Sequence, residues 1–402
     1  MLARSFQLED LPDGFLDDPY PVYAALREHD PVRELSRGRL FVTRYADVER
    51  IYKDPRTFSS DKVVEFGAKF GPSPLFEHHT TSLVFNDPPR HTRVRRIIAG
   101  ALTPRAVVAM EPGVITLVDG LLDAMAERGR ADLIEDFAAA IPVEVIGNLL
   151  GVPREERGPL REWSLAILGA LEPGSDPARL DPGNRAVGEF LAYLEGLVSD
   201  RRRHPGDPEK DILTRLIGGE ADGERLSEAE LLQNCIFILN AGHETTTNLI
   251  GNGLQLLVEQ PAERARLVAD PDLIRTAVEE VLRYESSNQL GNRAATCPVE
   301  LGGKMVPAGT QITICIGAAN RDGGQFTEPD RFDVGRQPNR HLAFASGTHQ
   351  CVGMAVARLE GRIALARFLA RFPDYEPDGA PARSARIRFR GFSSIPVALG
   401  RG

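Results

Sequence analysis

One segment of the chain concentrates residues that could do chemistry: Arg340 to Glu360, RHLAFASGTHQCVGMAVARLE. In it a glycine-containing loop delivers Cys351 to the start of an amphipathic helix that continues toward Phe372. A thiolate at that place gains from the helix N-terminus and from nearby backbone N–H groups, so a lowered pKa and a tempered electron donation are expected. Cys351 is therefore suited to be a ligand or a nucleophile. Gly347 permits a tight turn, and Gly353, without a side chain, leaves room for a large flat group beside the backbone. A catalytic thiol would need a base, and His349 stands two positions earlier. Cys235, Cys297 and Cys315 lack such surroundings and read as small packing residues.

Three further clusters stand out. Glu280-Val281-Leu282-Arg283 places a carboxylate and a guanidinium three apart on one helix face; alone, such a pair is worth about 0.2–0.5 kcal/mol and occurs on many charged helices. Ala241-Gly242-His243-Glu244-Thr245-Thr246-Thr247 is a small, polar break in an apolar rod. Threonines there can bond back to their own helix carbonyls, but a glycine beside an acid and a hydroxyl in mid-helix has a more specific use. In Asp87 to Arg96, His91 and Arg95 share a face at i,i+4, while Arg90, Arg93 and Arg96 read as a solvated basic surface.

Together, and in this order along the chain, these segments resemble the cytochrome P450 family. Phe344-x-x-Gly347-x-x-x-Cys351-x-Gly353 is similar to its haem-binding loop, which implies haem b as cofactor and Cys351 as the iron's thiolate ligand. The Glu280/Arg283 pair matches the family's E-x-x-R, which a downstream arginine closes into a buried structural network; Arg331, in Pro329-Asp330-Arg331-Phe332, is the matching residue. Ala241 to Thr245 resembles the oxygen-activation segment A-G-x-(D/E)-T, implying that Thr245 hydrogen-bonds dioxygen and a water while Glu244 relays protons. His243 fills its variable position and is assigned no role. By the same resemblance His91, Arg95, Arg293 and His341, with His349 as a further candidate, would neutralise the two haem propionates. The likeness spans nearly the whole chain, with two departures. Ala345 stands where many members have glycine, and Ser287-Asn288 replaces a common proline, which implies a more polar or more flexible pocket wall.

The resemblance implies a monooxygenase that inserts one atom of O₂ into a small or medium-sized hydrophobic molecule carrying a polar group. Electrons would come from a separate ferredoxin or flavodoxin with its reductase, since no reductase is fused. Arginines near the His91 run and Arg358, Arg362 and Arg367 would offer a basic docking face. The pocket would be lined from the loop Val63 to Phe85, the segment Trp163 to Leu180, the helix stretch Ile236 to Ala241, Ser287 to Leu290 and Phe392 to Ile395, with Phe85, Phe237, Asn240, Asn288, Gln289, Leu290 and Phe392 as its contact residues. A peroxygenase using H₂O₂, a non-catalytic haem sensor and a haem-free cysteine hydrolase built on Cys351 and His349 are the rival readings.

The elements that must hold these residues are mostly helical with small sheets, and one haem domain over 1–402 suits them better than several small ones. Ala106 to Arg130, Asp132 to Leu150, Asn184 to Arg202 and Ile212 to Ile217 have helical periodicity. The longest helix opens at the capping box Ser227-Glu228-Ala229-Glu230 and ends before Pro261. Strand signals fall at Leu40 to Thr43, Val299 to Leu301 and Gln311 to Ile316, and a strand-like stretch runs from Ala385 to Leu399. The 48 Lys plus Arg against 57 Asp plus Glu exclude a strongly basic nucleic-acid binder, and four cysteines without a CxxC pair exclude a zinc knuckle or a disulfide scaffold. Met1 to Tyr20 has no apolar core of a signal peptide, and no run approaches the roughly 20 apolar residues that cross a bilayer. A monomeric, cytoplasmic protein with no membrane partner is the expectation.

Overall fold

The computed structural model describes residues 5–400 apart from positions 175, 209, 210 and 222. The architecture is mainly helical with small sheets, as the periodicity predicts. Its axis is the helix Glu228–Glu259, 32 residues long and so roughly 48 Å at 1.5 Å per residue. The capping box forms: Ser227 Oγ accepts the Glu230 N–H at 3.2 Å, and the Glu230 carboxylate accepts the Ser227 N–H at 3.0 Å. The same carboxylate binds Arg90 and Arg93, so those two arginines tie their helix to the long one, Arg93 largely covered and Arg90 still open to solvent. Pro261, which cannot donate an N–H, opens the next helix.

The long helix is buried along nearly its whole length, packed against Ala140–Leu150, Leu160–Gly169, Pro177–Arg203, Ile274–Tyr284 and Met354–Arg371. Polar residues on it are therefore used internally. Asn252 donates to the carbonyls of Glu285 and Arg390, and Asn234 accepts the Leu83 N–H while donating to Glu230. Beside this helical body a five-stranded sheet runs in the order Val32–Glu34, Leu40–Val42, Gln311–Cys315, Leu290–Ala295, Phe58–Ser59, antiparallel except for the second pair. It brings Arg293 opposite Ile312 and carries the chain back over the long helix.

Two stretches differ from expectation. Val63 to Phe85 contains two helices, Val63–Phe70 and Pro74–Thr81. Their signals were present: Phe66 and Phe70 at i,i+4, and Ser73, which accepts the Phe76 N–H as an N-cap ahead of Pro74. Asp132 to Leu150 breaks into a π-turn, Ile134–Ala138, and a helix, Ala140–Leu150. Among the described residues no helix is long and apolar enough to cross a membrane.

Candidate active site

A cavity of about 950 Å³ lies between the middle of the long helix and the loop that leads into the helix Met354–Arg371. Asn240, Ala241, Gly242 and Thr245 line it from the helix, and Phe344, Cys351, Gly353 and Val356 from the loop and the turn after it. Phe85, Phe237 and Leu290 complete the apolar wall, with the polar Asn288 among them.

The loop closes on itself, since the Cys351 N–H donates to the Phe344 carbonyl at 2.9 Å. Gly347 has φ +67°, and a Cβ there would stand 2.6 Å from the Tyr52 carbonyl, so glycine is required. At Gly353 a Cβ would project beside the Cys351 sulfur, 4.0 Å away, into the space on which that sulfur opens. The lowered thiol pKa expected at a helix start is corrected. Burial pushes the Cys351 thiol up, and the Gly353 and Met354 N–H groups with Arg95 and Arg358 only partly offset it. Bonding to a cationic metal would reverse that balance and hold the thiolate.

His91 and His349 lie against each other, ring centroids 4.0 Å apart, on the cavity wall with Arg95 and Arg293. Burial and the neighbouring arginines hold His91 at about 4 and His349 at about 2, so both rings are neutral. Neither ring nitrogen of His91, nor Nε2 of His349, has a partner among the described residues. Among the described residues Arg293 donates to the Asn292 carbonyl and lies over the Tyr52 ring. Four nitrogen-rich side chains thus converge with unused donors, which fits two carboxylates brought in by a ligand. No group of three His, Cys, Asp or Glu side chains among the described residues could hold a bare metal ion. A lone cysteine beside a wide cavity suits an iron whose other ligands come from a macrocycle. No hydrogen bond joins His349 to Cys351 among the described residues, and an imidazole that burial holds at about 2 is too weak a base to take the proton of the thiol, as a cysteine hydrolase needs.

On the long helix, Thr245 Oγ donates to the Ala241 carbonyl at 2.7 Å, leaving its lone pairs toward the cavity it lines. Glu244, the neighbouring acid, turns away: it is buried and pairs with Arg386 Nη1 at 3.1 Å. Burial raises its carboxyl to about 7 against the pull of Arg386. His243 is buried with Nδ1 3.3 Å from Ser164 Oγ.

Several expectations are corrected. His341 is fully engaged elsewhere, Nε2 at 3.1 Å from Glu279, whose carboxylate also takes two bonds from Arg358, and Nδ1 accepting the Ala343 N–H. His349 takes the place expected of it on the cavity wall. Arg331 does not close the Glu280–Arg283 network; its side chain is 57% exposed and pairs with Glu328. Arg336 closes it, Nε donating to Glu280 at 3.0 Å, while Arg331 contributes its carbonyl. Gln289 is folded back on the Ser286 carbonyl, and Phe392 packs in the core under Arg383; neither is among the cavity-lining residues. Cys297 is exposed, whereas Cys235 and Cys315 are buried. Sequence reasoning missed Arg336, Arg386 and a set of cavity cations, because nothing local marks an arginine whose partner lies far along the chain.

Comparison with known proteins agrees with this geometry. A cytochrome P450 family model matches residues 181–385. The chain is 38% identical over 406 residues to cytochrome P450 107B1 of Saccharopolyspora erythraea, covering 96% of each chain, and 37% identical to the vitamin D(3) 25-hydroxylase of Pseudonocardia autotrophica, covering 96% and 95%. Among solved structures it is similar to P450BioI in complex with an acyl carrier protein ligated to hexadec-9Z-enoic acid, with TM-score 0.91, 35% identity and coverage of 96% and 100%. Bacillus megaterium CYP109E1 in complex with testosterone has TM-score 0.87, 30% identity and coverage of 96% and 98%. The chain belongs to the cytochrome P450 family. It is a haem b monooxygenase, working with O₂, an organic substrate and redox partners.

Proposed function

We propose that this monooxygenase oxidises a small or medium-sized hydrophobic molecule carrying a polar group, as a cytoplasmic monomer with a single haem domain supplied with electrons by a separate ferredoxin or flavodoxin and its reductase. The observation that carries the reading is that one cavity has Cys351 on one side and Ala241, Gly242 and Thr245 on the other, walled by Phe85, Phe237 and Leu290. Vitamin D(3), which one relative is named for hydroxylating, and testosterone, held in the complex of another, are of this chemical kind.

Haem, when bound, supplies oxygen activation and one-electron chemistry. The chain's residues do the remainder. Cys351 ligates the iron through its sulfur, with the Gly353 and Met354 N–H groups tempering the charge on it. His91, His349, Arg95 and Arg293 take the propionates, which orients the macrocycle. Thr245 Oγ, anchored on the Ala241 carbonyl, accepts a hydrogen bond from a water or presents its own proton after rotation about χ1. Glu244 exchanges a proton at its carboxyl oxygens near neutral pH. Arg386 holds the ionised form, and release from it lets Glu244 turn toward Thr245 with a proton. Asn240 and Asn288, whose Oδ1 atoms are buried without partners among the described residues, are placed to read the substrate's polar group. On the redox side, Arg358 and Arg367 are already paired with Glu279 and Asp119, and Arg90 and Arg93 with Glu230, so docking draws first on Arg362.

The reduced, CO-treated protein tests the ligand assignment: the band of thiolate-ligated haem is expected, and its absence would remove Cys351 from the iron. Thr245→Ala should keep that band and lower product formed per electron consumed. Unchanged coupling would remove Thr245 from the relay.

A further inference from the structure

The cavity holds more positive charge than the haem propionates can use. Besides Arg95 and Arg293, its wall includes Lys62, Lys69 and Arg388. Lys62 is neutralised by Glu65, Nζ to Oε2 at 2.8 Å. Lys69 and Arg388 make no ion pair among the described residues. Lys69 Nζ donates to the Glu172 carbonyl at 2.7 Å. Arg388 donates to the Leu290 carbonyl at 2.8 Å, to Asn292 Oδ1 at 3.1 Å and to the Leu171 carbonyl at 3.4 Å. Two of the five guanidinium N–H donors and two of the three ammonium donors are left unused. Among the described residues neither cation touches a carboxylate: Lys69 bonds the main-chain carbonyl of Glu172, and the Glu172 carboxylate accepts the backbone N–H groups of Ile387 and Arg388 at 2.8 and 3.2 Å. Glu172 and Glu65, the latter already paired with Lys62, act on the two cations only through space, and an enclosed cation without a contacting counter-charge is costly.

The same stretch of wall has a second unmet group. His79 is 2% exposed, faces Lys69 and Arg388 electrostatically, and keeps its Nε2 without a partner among the described residues. The rings of Phe66, Phe70 and Phe85 surround it at 5.3–5.6 Å, so an apolar body can lie beside it. We infer that the substrate carries a carboxylate, bound by Arg388 with Lys69 and His79, its apolar body lying along the phenylalanines toward Thr245. This sharpens the substrate reading above and rests on it. Arg388 is a specificity residue here, held on the Leu171, Leu290 and Asn292 frame, whereas the propionate donors are Arg95, Arg293, His91 and His349.

The test uses haem-loaded, full-length protein and ω-imidazolyl alkanoic acids of graded chain length, each compared with its primary amide. The imidazole anchors every probe at the iron, so the acid–amide ratio of Kd from the absorbance shift reports the far end alone. At the best length the acid should bind about tenfold or more tightly than its amide, the size of a charge-assisted hydrogen bond to an enclosed cation. Arg388→Gln should bring the ratio close to one, Arg388→Lys should retain part of it, and Lys69→Met should cut it several-fold. Absence of acid preference at every length would overturn the inference. So would a preference that survives both Arg388→Gln and Lys69→Met, or haem loss in Arg388→Gln with the preference intact, which would make Arg388 a propionate donor. Should Arg388→Gln not fold, Lys69→Met decides alone. A wild type without the thiolate–haem band fails the underlying reading as well; a wild type with the band and no acid preference fails the carboxylate only.

Discussion

Replacing Arg336 by alanine should destabilise the protein several times more than replacing Arg331, although both flank the same loop. Glu280 is 0% exposed. Its Oε1 accepts from Arg283 Nη2 at 2.8 Å, Arg336 Nε at 3.0 Å and the Asp333 N–H at 3.0 Å; its Oε2 accepts from Arg283 Nε at 2.7 Å and Asn339 at 3.1 Å. Removing Arg336 deletes one of two cations on a buried carboxylate, about 1.5–3 kcal/mol for a charge-assisted bond. The carbonyls of Thr327, Glu328 and Arg331 also lose their donor, but at the surface, where water replaces it. A total of about 1.5–3 kcal/mol follows. With an unfolding entropy of about 2.1 cal/mol/K per residue, a chain of this length shifts its midpoint by roughly 3–4 °C for ~3 kcal/mol. Among the described residues Arg331 pairs only with Glu328, 57% and 64% exposed, so its loss should cost about 0–1 kcal/mol and at most roughly 1 °C. Midpoints of the holoprotein by far-UV circular dichroism and by haem absorbance, at one fixed scan rate, measure both. In a Glu280→Gln background the Arg336→Ala penalty should shrink, by a coupling of about 1 kcal/mol or more. Equal shifts for the two arginines, or no coupling to Glu280, would refute the reasoning.

Glu244 supplies a pH prediction: its folded pKa of about 7 lies above the ordinary 4.5, so the folded state binds more protons in that window and stability falls as pH rises through it. Glu244→Gln should flatten this slope in denaturant titrations. Product per electron should decline above pH about 7, and Arg386→Gln, by removing the cation that favours the carboxylate, should move that inflection upward; an unmoved inflection would separate Arg386 from the relay. Ala345 has φ +56°, a left-handed conformation that costs an L-residue about 1–2 kcal/mol, so Ala345→Gly should stabilise by about 1 kcal/mol once the looser unfolded chain is counted, read from the urea midpoint. His91→Ala and His349→Ala should each speed haem transfer to apomyoglobin about tenfold, while His341→Ala should leave it near wild type; a large effect at His341 would reverse the present assignment.

The parts of the candidate site that were legible in the sequence share one property: their geometry is set within a few residues. The Cys351 loop is a turn feeding a helix, Glu280 and Arg283 sit one turn apart, and His91 and Arg95 are separated by four residues on one helix. The long helix was legible for the same reason, from a cap at one end and a proline at the other. What was misread depends on where a loop carries a side chain after leaving its element. Of His341 and His349, eight residues apart in one loop and both expected at the propionates, only the second lies there, because the turn at Gly347 swings it toward His91 while His341 is held by Glu279. Arg336, to which the sequence reading gave no role, takes the place expected of Arg331, because the Asp333 N–H, bonded to Glu280, turns the chain so that the later arginine points inward.

The sequence by itself determined the fold class, the cysteine at a helix start and the acid–threonine break in a long helix, since periodicity, caps and short spacings are local physics. Only the tertiary structure decided which cations the cavity would share. Lys69, Glu172 and Arg388 come from three separate stretches and meet because a helix, the bend after another helix and a C-terminal segment pack around one space. Their charges cannot be balanced on paper, because whether a cation has a counter-ion is settled by distances between residues far apart in the chain. The same holds for the thiol of Cys351: the helix start that should lower its pKa is legible in the sequence, but the burial that outweighs it belongs to the packed molecule.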